Sequence, residues 1–241
     1  MASANGGFTY SHGAIIRGDS TKKNISLVFT GHEFAEGGKF IAKTLQQEKI
    51  NASFFLTGKF YRDPQFQTII DELKNYHNYL GAHSDEHLLY CDWSDRNKLL
   101  VSKDEFTRDL RDNYTQMSRL NIKQKDAHYF LPPYEWYNDS ISNWTSQLGL
   151  NLINYTPGTL SHADYTTTKD KNYRSSEEIY NSIINYERTK PAGLNGFILL
   201  MHIGAGPDRE DKFYKHLPGL IAYLKQKGYH FQTVDQLLKA N

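Results

Sequence analysis

The sequence has little of several features that would by themselves assign a protein to a class. A single cysteine, Cys91, excludes an internal disulfide and gives little information about the cellular compartment. Lysine and arginine (28) nearly balance aspartate and glutamate (27), without a basic stripe among aromatic residues, so nucleic acid is not an expected partner. No apolar run approaches the length that crosses a membrane, so we expect no membrane span.

The amino terminus lacks the apolar core of a signal peptide. Its small and polar start, Met1 to Gly7, is typical of a chain from which a native export signal has been trimmed. We therefore expect a secreted or periplasmic protein if such a signal was removed, and the sequence otherwise leaves the location open. Residues 1–24 are interpreted as an N-terminal segment of partly artificial origin, and residues 25–241 as one domain.

Strand patterns alternate with helical patterns along the chain, which is typical of a parallel β/α fold. Ser-x-x-Glu sequences at Ser102 and Ser175 predict two helix starts, and Pro218 is expected to interrupt the first half of the last long helix. We predict an α/β fold, a distorted (β/α) barrel of about seven units in a single domain. The predicted strands lie at 25–30, 52–56, 78–82, 127–130, 150–154, 197–201 and 229–233.

Two of these strands lead directly into histidines. His83 and His87 follow the strand at 78–82, and His202 follows the strand at 197–201. Imidazoles four residues apart share one side of a helical turn and can reach one cation. Parallel β/α folds collect their chemistry at the carboxyl ends of strands, so this placement indicates a metal site. The alternative is that all three are ordinary surface or capping histidines.

Four loops at predicted strand ends carry polar residues in a distinctive order: 30–33 (TGHE), 83–87 (HSDEH), 132–136 (PPYEW) and 200–202 (LMH). In order and spacing they resemble the sequence blocks of the polysaccharide deacetylases, carbohydrate esterase family 4 with its NodB-homology domain. The resemblance extends from about residue 25 to about residue 234. It implies a distorted β/α barrel that uses a divalent metal to hydrolyse acetyl groups from sugars.

The resemblance also implies individual roles. His83 and His87 match two histidine ligands of the metal, and His202 matches the general acid that protonates the leaving group. Tyr134 matches the position whose backbone N–H helps to stabilise the tetrahedral oxyanion. The implied cofactor is one divalent metal, zinc in the first place with cobalt or nickel as alternatives, and the implied partner is an acetylated carbohydrate.

Two blocks depart from the family pattern T-F-D-D and R-P-P-Y. Gly31 takes the position of the aspartate that acts as general base, and His32 takes that of the third ligand, which gives a predicted His₃ site. Leu131 replaces the arginine that pairs with the base. The two losses are consistent with each other, because an arginine without its carboxylate would be a desolvated, unpaired charge.

Candidate substitutes for the missing base are Glu135, which directly follows Tyr134, and Glu33, which follows His32 and is expected to face away. For both, the alternative is a solvated loop carboxylate. Asp85 inside the HxxxH turn is a further candidate, and a metal-bound hydroxide would need only a weak base.

Aromatic residues near these loops have two interpretations. Trp136 and Tyr137, and similarly Trp93, are interpreted either as sugar-stacking side chains or as packing residues. Asp164 and the charged run at 208–211 are expected to be solvated loop and helix-start charges.

The leading hypothesis is a metal-dependent hydrolase that removes acetyl groups from a polysaccharide or oligosaccharide. O-acetyl, as in acetylated xylan, is favoured over N-acetyl because an alcohol leaves more easily than an amine. The alternatives are a catalytically silent carbohydrate-binding domain, an N-deacetylase of chitin- or peptidoglycan-type sugars, and a hydrolase of another amide or of a non-sugar substrate.

Overall fold

A computed structural model describes residues 7–239, with nine strands and eight α-helices in that range. The strands are β1 (Thr9–Ser11), β2 (Ala14–Arg17), β3 (Asn24–Gly31), β4 (Ser53–Leu56), β5 (Tyr79–Ala82), β6 (Tyr129–Phe130), β7 (Asn151–Leu152), β8 (Phe197–His202) and β9 (His230–Phe231). The helices are α1 (Gly38–Glu48), α2 (Gly58–Arg62), α3 (Gln67–Asn75), α4 (Lys103–Arg119), α5 (Asp139–Gln147), α6 (Ser176–Thr189), α7 (Leu217–Gln226) and α8 (Val234–Leu237).

One sheet, in the order β1-β2-β8-β3-β4-β5-β6-β7, forms the centre of the molecule. Neighbouring strands from β8 to β7 in this order are parallel, and β9 also pairs with β3 in parallel. β2 pairs antiparallel with both of its neighbours, β1 and β8. The sheet curls until its two ends meet, where Ile15 in β2 bridges Ile153 just beyond β7. The predicted distorted (β/α) barrel in a single domain is confirmed. The β1–β2 hairpin, inside the segment 1–24, was not predicted.

Helix boundaries follow the local sequence signals. Ser102 and Ser175 each accept a hydrogen bond from the backbone N–H three residues later, and the glutamate there bonds back, so both predicted capping boxes are confirmed. Pro218 lies in the first turn of α7, behind a 3₁₀ turn at Phe213–His216. A proline is tolerated there because the N–H it lacks would have no helical partner.

The loop between β5 and α4 contains the single cysteine. Cys91 is fully buried and forms an isolated bridge with Leu99, which closes the segment 92–98 that carries Trp93. Burial raises the pKa of its thiol to about 11. Within residues 7–239, none of the helices combines the length and apolar character needed to cross a membrane.

Candidate active site

The carboxyl ends of the parallel strands lie at one end of the sheet, where Thr30 at the end of β3 pairs in register with His202 at the end of β8. The loops that follow enclose a cavity of about 670 Å³. Most of the residues singled out in the sequence therefore come together, as parallel β/α topology requires. Of these residues, the cavity is lined by His32, Glu33, His83, His87, Trp93, Tyr134, Glu135 and His202.

Three imidazoles form one wall of the cavity. The ring of His32 stacks on that of His87, with centroids 4.6 Å apart, and His87 contacts His83 edge to face at 5.1 Å. Burial lowers the pKa of His83 to about 3 and that of His87 to about 2, and it also lowers the pKa of His32. All three rings are therefore neutral near pH 7, which is the form that binds metal.

His83 and His87 have the donor chemistry of metal ligands. His83 lines the cavity and donates its Nδ1–H to the carbonyl oxygen of Leu131 at 2.8 Å, which fixes the ring and leaves Nε2 as the nitrogen available to a metal. His32 instead bonds Thr57 Oγ1 through Nδ1 at 3.2 Å while stacked on His87. Across residues 7–239, no three or more His, Cys, Asp or Glu side chains are arranged around one point as a metal site. His83 and His87 thus fit two ligand positions, and His32 lies beside them without converging.

His202, which also lines the cavity, is paired with a buried carboxylate. His202 donates its Nδ1–H to Asp164 Oδ1 at 2.6 Å, and its backbone N–H to Asp164 Oδ2 at 2.9 Å. Burial lowers the pKa of His202, but the charge and hydrogen bond of Asp164 outweigh it, so the net shift is upward. The expectation that Asp164 is a solvated charge is wrong, since it is 5% exposed and orients the imidazole.

Arg209 holds the segment that carries Asp164. Its side chain is 1% exposed and donates to the carbonyl oxygens of Thr166, Arg174 and Asp211. The expectation that the run 208–211 consists of solvated charges is therefore wrong for Arg209. The sequence could not show this, because the acceptors are backbone carbonyl groups, which carry no residue signature, and two of them lie 35 or more residues away.

Tyr134 and Glu135 share an unusual backbone. Both have a left-handed conformation, with φ of 57° and 52°, inside the short turn that follows β6. Such a conformation costs a residue with a side chain roughly 1–2 kcal/mol. The amide of Asn154 supports the turn by donating to the carbonyl oxygen of Glu135 at 2.8 Å. From this strained turn Glu135 lines the cavity, close enough to His202 to be affected by its charge.

Burial raises the pKa of Glu135 to about 7, and the nearby His202 partly opposes this shift. A carboxyl with this pKa exchanges a proton near neutral pH, as a general base must. Glu33 differs, because its side chain is 67% exposed and lies 3.7 Å from Nε2 of His32. Asp85, the third candidate base, is paired with Arg62 at 2.7 Å and is absent from the cavity lining.

Gly31 leaves no room for the side chain that the family pattern has there. A Cβ at this position would lie 2.7 Å from Leu56 Cδ2 and 2.8 Å from Ile203 Cγ2. The adjoining Thr30 lines the cavity, and its buried hydroxyl has no hydrogen-bond partner within residues 7–239. Thr30 is therefore a polar residue of the cavity that the sequence analysis did not single out.

The aromatic residues divide into two groups. Phe34, Trp93, Tyr134 and Tyr165 are 43–58% exposed and line the cavity. Tyr137 is instead 2% exposed, with its hydroxyl bonded to the Ser11 carbonyl at 3.0 Å.

Trp136 stacks under the Arg96 guanidinium, 3.7 Å from the ring centroid, and donates its indole N–H to the Asp92 carbonyl. The cavity lining includes neither Trp136 nor Tyr137. The packing interpretation therefore describes both residues, and the sugar-stacking interpretation suits Trp93.

A comparison with protein families matches residues 17–153 to the polysaccharide deacetylase family, more than half of the chain. A curated relative, an uncharacterised 30.6 kDa protein of Geobacillus stearothermophilus, is 26% identical over 228 residues, which cover 94% of this chain and 75% of that protein.

Solved structures with the same fold include several carbohydrate esterases. A peptidoglycan N-acetylglucosamine deacetylase superposes with a TM-score of 0.72 at 19% identity, covering 95% of this chain and 94% of its own. A family 4 pseudoenzyme from Bacillus anthracis gives 0.69 at 18% identity, covering 95% and 70%. The esterase domain of a multidomain xylanase from the hindgut metagenome of Trinervitermes trinervoides gives 0.66 at 22% identity, covering 90% and 89%. At these identities the likeness shows the fold alone.

Proposed function

Because the chain belongs to the polysaccharide deacetylase family, we propose that it is a hydrolase that removes O-acetyl groups from a polysaccharide such as acetylated xylan. The observation that carries this proposal is the presence of two proton-transfer groups in one cavity. Glu135 has a pKa of about 7, and His202 is oriented by Asp164. A binding domain would have no use for either arrangement.

In the proposed reaction, Glu135 takes a proton from water as the water oxygen attacks the acetyl carbonyl carbon. The carbonyl becomes a tetrahedral oxyanion, and the backbone N–H of Tyr134 is the donor that we assign to stabilise it. His202, held by Asp164 through Nδ1, presents its other ring nitrogen as an N–H donor and protonates the departing sugar oxygen. The products are the free sugar hydroxyl and acetic acid, which ionises to acetate. Glu135 then releases its proton to solvent and His202 takes one up, which restores both groups.

A divalent cation, zinc in the first place, fits the neutral imidazoles of His83 and His87, with His32 as the candidate third ligand. When bound, such a cation lowers the pKa of water and polarises the acetyl carbonyl. The chain's own contribution is to fix the His83 ring through the Leu131 carbonyl and to keep both imidazoles unprotonated.

The choice of ester over amide depends on the leaving group. A sugar alkoxide leaves more readily than an amine, so it requires less help from the acid and the base. Glu135 replaces the aspartate of the family pattern and acts from a different part of the cavity. We expect this base to be weaker, and hydrolysis of an ester is the reaction that requires less from it. An N-acetyl substrate of the chitin or peptidoglycan type is the alternative.

A catalytically silent carbohydrate-binding domain is the second candidate function. The observations that favour it are Gly31, which has no proton acceptor, and the stacking of His32 on His87 instead of a convergent arrangement. Turnover decides between the two candidates, because both require a bound glycan and only one releases acetate.

The test measures acetate release from acetylated xylan and from chitin oligomers, with and without added zinc. We expect release from xylan, a loss of about 10²–10⁴-fold in His202→Ala with unchanged metal content, and loss of metal itself in His87→Ala. Metal analysis of both variants separates the roles. If metal content falls in parallel in His202→Ala, His202 is a ligand and the acid role is wrong. If the parent binds xylan without releasing acetate, the silent domain is the better description.

A further inference from the structure

One face of β3 places a hydroxyl next to the imidazole of His202. Successive side chains of a strand point to opposite faces of the sheet, so Ser26, Val28 and Thr30 share one face of β3. Thr30 pairs in register with His202 of the parallel neighbour β8, and residues paired in this way have their side chains on the same face. Both residues line the cavity. The Thr30 hydroxyl therefore lies on the face of the sheet that carries the proposed acid.

Thr30 is 2% exposed, and within residues 7–239 its hydroxyl has no hydrogen-bond partner. A buried hydroxyl without a partner destabilises a folded protein, so such groups normally bond to other protein groups or to bound water. No hydrogen bond fixes the χ1 angle of Thr30, and the staggered rotamers of this side chain differ in the position of the hydroxyl. The hydroxyl is thus available to a molecule bound in the cavity.

The burial of Thr30 selects a small partner. A residue that is 2% exposed offers too little surface for a sugar ring, whereas a water molecule is small enough to reach it. A bound water needs roughly two to four polar partners, and Glu135, which lines the same cavity, supplies another. The adjoining Gly31 has no polar side chain, and Leu56 and Ile203 fill the space beside its Cα. Of the last two residues of β3, Thr30 is therefore the one that can bind this water.

We infer that the Thr30 hydroxyl binds the water molecule that attacks the acetyl carbonyl carbon. The hydroxyl accepts a hydrogen bond from one O–H of this water, while Glu135 takes the proton of the other O–H. The water oxygen forms the new bond to carbon, its retained proton ends on the acetic acid, and Thr30 neither gains nor loses a proton. The inference rests on the proposed function for the reaction, and it adds a second group that orients the water.

Thr30→Val tests the inference, because valine has nearly the same shape and lacks the hydroxyl, whereas Thr30→Ser keeps it. Acetate release is measured, with zinc present, on acetylated xylan and on para-nitrophenyl acetate, whose leaving group needs no protonation. We expect kcat of Thr30→Val to fall about tenfold on both substrates with KM unchanged, and Thr30→Ser to keep most of the activity. His202→Ala should instead lose activity mainly on xylan.

Ser26→Ala is the matched control and should keep the activity of the parent. Ser26 is a fully buried hydroxyl residue on the same face of β3, and its hydroxyl also has no hydrogen-bond partner in the described range 7–239. It differs from Thr30 because it does not line the cavity. A loss of activity specific to Thr30 therefore comes from the cavity and not from the removal of a buried hydroxyl as such.

Urea unfolding of the same variants shows whether the hydroxyl has a structural role. Thr30→Val should be at least as stable as the parent, because it removes a hydroxyl that has no protein partner. Clear destabilisation, or an unchanged kcat in a stable Thr30→Val, would overturn the inference. A loss confined to xylan would also overturn it, since the hydroxyl would then assist the leaving group. A parent that releases acetate from neither substrate would contradict the proposed function itself, and with it any attacking water.

Discussion

Replacement of Glu135 by Gln should make the protein more stable and less active, with a characteristic dependence on pH. Burial raises the pKa of Glu135 from 4.5 to about 7 in the folded protein. Between pH 4.5 and about pH 7 the folded protein retains a proton on this carboxyl that the unfolded chain has released. The protein therefore has its full stability below about pH 4.5, the pKa of this carboxyl in the unfolded chain. It loses stability as pH rises from there through the folded pKa of about 7.

The size of the effect follows from the difference between the two pKa values. It corresponds to about 3 kcal/mol of lost stability above about pH 7, since one pKa unit is worth about 1.4 kcal/mol. The amide of the substituted glutamine would stay neutral at every pH. The free energy of unfolding of Glu135→Gln should therefore exceed that of the parent by up to ~3 kcal/mol at about pH 8 and match it at about pH 4. Acetate release should fall by about 10²–10⁴-fold, the usual contribution of a general base.

Urea unfolding at both pH values measures the stability difference, in buffers with a chelator so that bound metal does not contribute. Glu210→Gln is the control, because Glu210 is exposed and outside the cavity. Equal stabilisation at both pH values would show that the effect is packing, and no stabilisation at about pH 8 would refute the burial argument. If activity survives in Glu135→Gln and falls in Glu33→Gln, the base is Glu33.

Three further substitutions test other parts of the structure. Asp164→Asn removes the charge that raises the pKa of His202, so the alkaline limb of the pH–rate profile should move to lower pH; an unmoved limb would contradict the acid role. Gly31→Asp should not rebuild the family's base, because its Cβ would meet Leu56 and Ile203; we expect a loss of about 1–3 kcal/mol in urea unfolding, and a gain in activity would contradict this. Ser102→Ala should cost about 0.5–2 kcal/mol by removing a helix cap, while the pH–rate profile stays unchanged.

The fold was predictable because its signals are local. The buried strand from Asn24 to Gly31, the capping boxes at Ser102 and Ser175, and the histidines directly after strands all depend on residues close in sequence. The β1–β2 hairpin was missed because residues 1–24 were interpreted as a segment of partly artificial origin, and strands of three and four residues give too little alternation to contradict that interpretation.

The parts of the site that could not be predicted depend on distant contacts. Asp164 looks like any loop carboxylate in the sequence, and its role comes from His202, 38 residues away. Tyr137 and Trp136 carry the same aromatic signal as Trp93, but only the folded chain shows that the first two meet Ser11 and Asp92 instead of the cavity. Residue type alone does not distinguish an aromatic that packs from one that faces a ligand.

The buried thiol of Cys91 allows the opening rate of the loop that follows His87 to be measured. A fully buried cysteine with a pKa of about 11 reacts with a thiol reagent only after the chain around it opens. It is the sole cysteine of the protein, so no other thiol contributes to the signal. The labelling rate therefore reports how often the segment between His87 and Leu99 opens away from the core. A ligand that orders Trp93 should lower the labelling rate in proportion to the ligand's occupancy.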